Sequence, residues 1–225
     1  MSNKEKELRE GGFAFMGVIN ASLSHEINNV LATVNELSGL IDDILVVAER
    51  GRPLNPTRLR TTVSRINNQL RRGQRLVRQL NQFAHSVDDP IASLDCTATL
   101  DEVLALSERF SNLKKVTIKA SLPEKPIAII GCPFEIRHIL FRCIEIGLSS
   151  CKPHDMIKVS LVEQEEGALY TVCSDATVQD SPKIRRGLQF LSLLADKYDA
   201  VLKNAPQPGQ PVHIAILLTS QIHLD

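Results

Sequence analysis

Residues 23–44 read LSHEINNVLATVNELSGLIDDI, and their spacing decides the first half of the fold. Leu23, Ile27, Val30, Val34, Leu37, Ile41 and Ile44 follow one another in alternating steps of four and three. That is the apolar seam of a helix packed in a bundle, and it excludes a strand, whose period is two. Gly51, Pro53 and Pro56 interrupt the pattern, which resumes as Leu59, Val63, Ile66, Leu70, Gly73, Val77, Leu80, Ala84 and Val87. The spacing therefore predicts a helical hairpin. Two helices cover only part of each other's stripe, and each Leu, Ile or Val left in water forgoes about 1.5 to 3 kcal/mol. A second copy of the chain is the economical cover, which predicts a homodimer with an antiparallel four-helix bundle about a two-fold axis.

Working outward, Asp88, Asp89 and Pro90 end this style of sequence. The expected domains are 1–89, a helical hairpin for dimerisation, and 95–225, a mixed α/β domain. In the second, Leu100 to Phe110 has helical spacing and Val116 to Ser121 alternates like a strand. An apolar strand follows at Ile127 to Ile130, then a helix from Glu135 to about Ser149. Strands at Ile157 to Glu163 and Ala168 to Ser174, a helix from about Lys183 to Tyr198 and a last pair of strands complete the domain. Runs of strands joined by short turns suit a mostly antiparallel sheet covered on one face by helices, an α+β fold.

Twenty-six Lys plus Arg balance twenty-six Asp plus Glu among 225 residues. No overall field draws such a chain to nucleic acid or to an anionic membrane. The longest apolar runs fall far short of the roughly 18 residues of a membrane span. The charged opening MSNKEKELREGG has no signal-peptide core, so the expected location is the cytoplasm. Five cysteines without paired spacing are read as reduced and mostly buried. Cys151, His154, Cys132, His138 and Cys143 match no zinc spacing, and His85, His213 and His223 stand in no constellation.

The chemistry lies in Ser24-His25-Glu26-Ile27-Asn28-Asn29. His25 is two residues past Leu23 and is turned outward; Asn29 projects from the same face one turn on, and Glu26 flanks the imidazole. A carboxylate can hold one ring nitrogen and sharpen the other as a nucleophile. An amide one turn away can orient a phosphoryl group or a water. Ala21 and Ala32 leave room for another protein. The arginines Arg58, Arg60, Arg65, Arg71, Arg72, Arg75 and Arg78 are read first as a solvated face pairing with Asp42, Asp43 or Glu49, and second as a surface for an acidic partner.

The string SHEINN resembles the phosphoacceptor motif of bacterial histidine kinases, and RGQRLVRQLNQFA is similar to their second hairpin helix. Residues 100–150 resemble the start of the kinase ATP-binding domain, so the likeness covers nearly the whole chain. It implies a degenerate histidine-kinase-type ATPase α/β sandwich, with departures at the nucleotide positions. Ile146 stands where the kinases carry the Asn that ligates nucleotide-bound magnesium. Asp175 is followed by no Gly-x-Gly, and only Gly187 remains of the phosphate loop. About a dozen residues separate Asp175 from Gly187, too few for the lid over ATP. Val30 replaces a proline usual five residues after the phosphoacceptor.

The resemblance then implies a histidine phosphotransferase of a two-component phosphorelay. Its catalytic residues are His25, Glu26 and Asn29, and its partners are the receiver domains of response regulators. It binds no cofactor of its own, and Mg2+ sits on the partner. A response-regulator phosphatase, with Asn29 positioning water, and a non-catalytic pseudokinase scaffold are the alternatives.

Overall fold

The computed structural model describes residues 2–198 and 200–219; His223 lies outside them. The chain divides into two compact units, Gly17–Ala84 and Met1–Met16 together with His85–Asp225.

The first unit is the hairpin. Helix α1 spans Asn3–Glu49 and α2 spans Pro56–Ala84. Between them Gly51 takes φ +85, a left-handed conformation that side-chain-bearing residues rarely adopt. The Asn55 side chain then accepts from the Arg58 N–H at 3.0 Å and starts α2. On α1, Leu23, Val30, Leu37 and Ile44 are buried at heptad spacing, and Ile27, Val34 and Ile41 are half-buried. On α2 the half-buried and buried positions are Leu59, Thr62, Ile66, Gln69, Gly73, Leu76, Gln79, Leu80 and Phe83. Val63, Leu70 and Val77 of the expected seam instead remain 42%, 47% and 45% exposed. The apolar stripe of α2 is wider than the one helix it packs on, so α1 takes its Leu59–Phe83 half and the other half is left over. Leu31 and Leu45 of α1 are exposed as well.

The second unit is the α/β domain. Its elements are β1 (Ala92–Asp95), α3 (Cys96–Lys114), β2 (Thr117–Ser121), β3 (Ala128–Gly131), α4 (Pro133–Ser150), β4 (Met156–Gln164), β5 (Gly167–Thr177), α5 (Pro182–Lys197), β6 (Ala200–Asn204) and β7 (Pro211–Thr219). Five strands lie in the order β2-β4-β5-β7-β6, with β2–β4 parallel and the rest antiparallel. A separate antiparallel pair joins β3, the strand expected at Ile127 to Ile130, to β1, whose four residues are too few to be legible from spacing. Along β4 and β5 every second side chain enters the core, whereas residues 214–218 of β7 are buried without a break. Val159 opposes Val172, Leu161 opposes Tyr170, and Tyr170 opposes Ile216. The Tyr170 hydroxyl is fully buried and donates to the Leu140 carbonyl of α4 at 3.4 Å, which ties sheet to helix.

Caps start the helices. Asp95 accepts from the Thr97 N–H at 2.8 Å, and Ser181 accepts from the Ile184 N–H at 3.2 Å with Pro182 at the first helical position. In the β4–β5 turn Gly167 has φ +148, and a Cβ there would come within 2.0 Å of the Leu218 carbonyl oxygen.

One boundary differs from the expected 1–89. Helix α1 begins at Asn3, and residues 3–16 pack with the α/β unit, where Phe15 is 1% exposed. The sequence 10–17 reads EGGFAFMG. Its glycines are weak helix formers and hide the periodicity, yet Leu8, Gly12, Phe15 and Ile19 already keep the steps of four and three.

Candidate phosphoacceptor site and the nucleotide positions

His25 is exposed on α1. One turn on, the Asn29 amide nitrogen stands 3.1 Å from His25 Nδ1. In that arrangement the amide donates to the Nδ1 lone pair and Nε2 carries the proton. A half-turn about the Asn29 amide presents Oδ1 instead, which accepts from Nδ1–H and leaves the lone pair on Nε2. Thr33 Oγ1 donates to the Asn29 carbonyl at 2.9 Å in the next turn. Glu26, the expected orienting carboxylate, is joined across the hairpin by Arg72 of α2, 46 residues away. The Arg72 side chain is half-exposed and Glu26 is mostly covered. The expected partners of the arginines are Asp42, Asp43 or Glu49. The register of the two helices instead brings Arg72 opposite Glu26, and Arg71 donates to Asn68 of its own helix. The site of the hairpin is therefore an exposed imidazole with an amide at Nδ1, beside an acidic group tied to a guanidinium.

The positions at which the resemblance implies nucleotide contacts are filled with packing. Ile146 is buried in α4. A hydrocarbon offers no ligand to a hard cation. Gly187, all that the resemblance leaves of the phosphate loop, lies inside α5, the helix expected from about Lys183 to Tyr198, and a Cβ placed on it would come within 3.3 Å of Ile146 Cγ1. Its role is to let α5 approach α4, and its backbone is committed to the helix. Only residues 178–181 connect β5 to α5, and Asp175 is exposed near the end of β5.

On the same helix as Ile146, His138 is fully buried. Its ring lies parallel to Phe15 at 4.4 Å between centroids, and Phe190 is 5.2 Å away. The Arg142 guanidinium donates to Nε2 at 3.2 Å, and Glu135 Oε2 stands 3.5 Å from Nδ1. Burial, above all, holds the imidazole below its ordinary pKa, so it is neutral in the folded protein. Burial also pushes the Cys96 thiol up to about 12 and raises Cys143 and Cys151. Thiols held so far above neutrality are inert packing groups. All five cysteines are free. Among the described residues no three His, Cys, Asp or Glu side chains converge to hold a metal. None of their helices is long and apolar enough to cross a membrane. His85 pairs with Asp88 at 2.6 Å and His213 with Asn204 at 2.8 Å, both at the surface.

No protein-family model matches the sequence, and no curated protein does. Solved structures do match. The similar folds are those of histidine kinases. Acinetobacter baumannii histidine kinase AdeS aligns over 88% of this chain and 98% of its own, at 12% identity and a TM-score of 0.48. The cytoplasmic segment of histidine kinase QseC aligns over 68% and 95%, at 15% identity and 0.45. The ATP-binding domain of PrrB from Mycobacterium tuberculosis aligns over 60% and 100%, at 16% identity and 0.45. At such identities the likeness concerns the fold, and the assignment of roles to residues stands on their own geometry.

Proposed function

We propose that this protein is a histidine phosphotransferase of a two-component phosphorelay, acting as a homodimer on the receiver domains of response regulators. The observation that carries the reading is the exposed imidazole of His25 with Asn29 at its Nδ1. With the Asn29 amide given its half-turn, its side-chain Oδ1 accepts from Nδ1–H, and Nε2 presents its lone pair to the phosphorus of a receiver's aspartyl phosphate. The new N–P bond forms as the P–O bond to the aspartate breaks, and the carboxylate leaves. Magnesium held by the receiver neutralises charge on the equatorial phosphoryl oxygens. The proton on Nδ1 stays in its hydrogen bond, and the positive ring that results has Glu26 beside it. Attack by a second receiver's aspartate on the phosphohistidine reverses the step and moves the group on.

Buried Ile146 and helical Gly187 support the part of this reading that denies the protein ATP as a donor. The exposed Val63, Leu70 and Val77 support the dimer. The phosphatase alternative asks Asn29 to hold water, whereas its amide is engaged by the imidazole.

The test uses a receiver domain carrying labelled aspartyl phosphate as donor. Label is expected on the wild type and not on His25→Ala; equal labelling of the two contradicts the proposal.

A further inference from the structure

A cavity of about 160 Å³ opens inside the α/β unit, where the start of α4, the end of α5, the end of β7 and the β1–β3 pair meet. Its inner wall is hydrocarbon, from Ile129, Ile136, Ile139 and Leu218, all of them buried. Ile91 and Ile130 also line it and are exposed, so they form a rim through which a small molecule can pass. The lining carries one charged group, the Lys197 ammonium, and no carboxylate. Among the described residues Lys197 makes no ion pair, and its ammonium lies 5.0 Å from the centre of the Tyr198 ring, another part of the lining. Burial, and then Glu135 close by, raise the Tyr198 phenol far above its ordinary pKa, so it stays a neutral donor; Glu135 itself stands outside the lining.

Such a site selects by size and by sign. An apolar cavity of about 150 Å³ takes a body the size of benzene. A cation at the edge of an apolar wall suits a ligand that buries its body and keeps a negative charge at the surface.

We propose that this cavity binds a free monocarboxylic acid with an apolar body of about six carbons, the body against Ile129, Ile136, Ile139 and Leu218 and the carboxylate on Lys197. The site is distinct from the nucleotide positions, since Ile139 precedes Ile146 by two turns of α4. It is also independent of the chemistry at His25. Pro90 and Ile91, both in the lining, belong to the link from α2 to β1. A bound acid therefore holds the link by which the α/β unit is joined to the hairpin.

Two cysteines report on occupancy. Cys132 lines the cavity and is half-buried; Cys173 is also free and half-buried, but it pairs with His213, toward the other end of β7. The full chain is titrated calorimetrically with butanoate, hexanoate, octanoate, decanoate and benzoate, and with octan-1-ol as the uncharged comparator. Alkylation of both cysteines by N-ethylmaleimide is followed by mass spectrometry. The acids are expected to protect Cys132 and not Cys173. Affinity is expected to rise about fourfold per methylene up to octanoate and to level off at decanoate, when the cavity is full. Lys197→Met, an exposed position, is expected to weaken octanoate about fivefold and to leave octan-1-ol unchanged. Ile130→Trp sets a large ring on the rim and is expected to weaken every ligand at least about tenfold. Failure of every acid to protect Cys132 overturns the proposal. So does equal protection of Cys173, which shows general partition into the protein. An octanoate affinity unchanged in Lys197→Met contradicts the carboxylate class. If Ile130→Trp does not fold, Lys197→Met decides.

Discussion

The hairpin and the α/β unit treat their reactive side chains in opposite ways. The hairpin displays His25, ties Glu26 to Arg72 and leaves Val63, Leu70 and Val77 in water. The α/β unit buries His138, Cys96, Cys143 and the Tyr170 hydroxyl, and packs Ile146 and Gly187 against each other. Display suits the proposed role of His25, since a phosphoryl donor on another protein must reach the nucleophile. On the proposed reading the acceptor histidine stands exposed on the hairpin, while the α/β unit is a packed body.

The contrast breaks most readily at the leftover apolar half of α2. Leu70→Glu places a charge in the expected dimer seam twice, once per subunit. The loss of about 1.5 to 3 kcal/mol for each buried side chain raises the dimer dissociation constant by at least about 100-fold. Sedimentation equilibrium measures it, and an unchanged association state removes the dimer from the account.

Asn29→Ala comes next. It takes one hydrogen bond from the imidazole, and about 1.5 kcal/mol corresponds to roughly a tenfold slower phosphoryl transfer. Rapid-quench labelling reads the rate. A tenfold gain in release of inorganic phosphate by wild type over Asn29→Ala, with no phosphohistidine, favours the phosphatase alternative instead.

His138 sharpens the other side of the comparison. Its pKa is lowered in the folded state, so its neutral form is favoured there. Stability from this group is fully present above the unfolded value of about 6.5 and is lost as pH falls below it. His138→Phe keeps a ring against Phe15 and removes the titration. Its Tm is expected to fall less than that of the wild type between pH 7 and pH 5. Parallel slopes show that the buried imidazole does not govern acid lability.

The smallest effect is at the ion pair that crosses the hairpin. Arg72 is half-exposed, and such pairs contribute about 0.2 to 1 kcal/mol. Arg72→Gln is expected to lower Tm by no more than a few degrees and to slow transfer by less than about threefold. A tenfold loss promotes Arg72 from supporting Glu26 to handling the phosphoryl group itself.

Much of this molecule is legible in its residue order, for reasons that differ by region. The seam from Leu23 to Ile44 announces α1 because one helix face alternates strictly with polar positions. The same rule on α2 yields one broad stripe from Leu59 to Leu80, and periodicity alone cannot say which half meets α1. Thr62 and Phe83 complete the buried half and lie off the expected seam. Gly187 falls in the helix that spacing predicts from about Lys183 to Tyr198, whereas the resemblance assigns it to a phosphate loop; the approach of Ile146 is what requires the glycine. The partner of Glu26 is hidden because Arg72 is one of seven arginines on α2, and helix register, which no local pattern encodes, selects among them. Phe15 is masked by the glycines around it.

Locating the phosphoryl group by tandem mass spectrometry, after incubation with a phosphorylated receiver or with Mg-ATP, tests the central claim most directly. The account predicts phosphohistidine at His25 from the receiver and none from Mg-ATP. Modification at any other residue, or phosphohistidine formed from ATP, contradicts it.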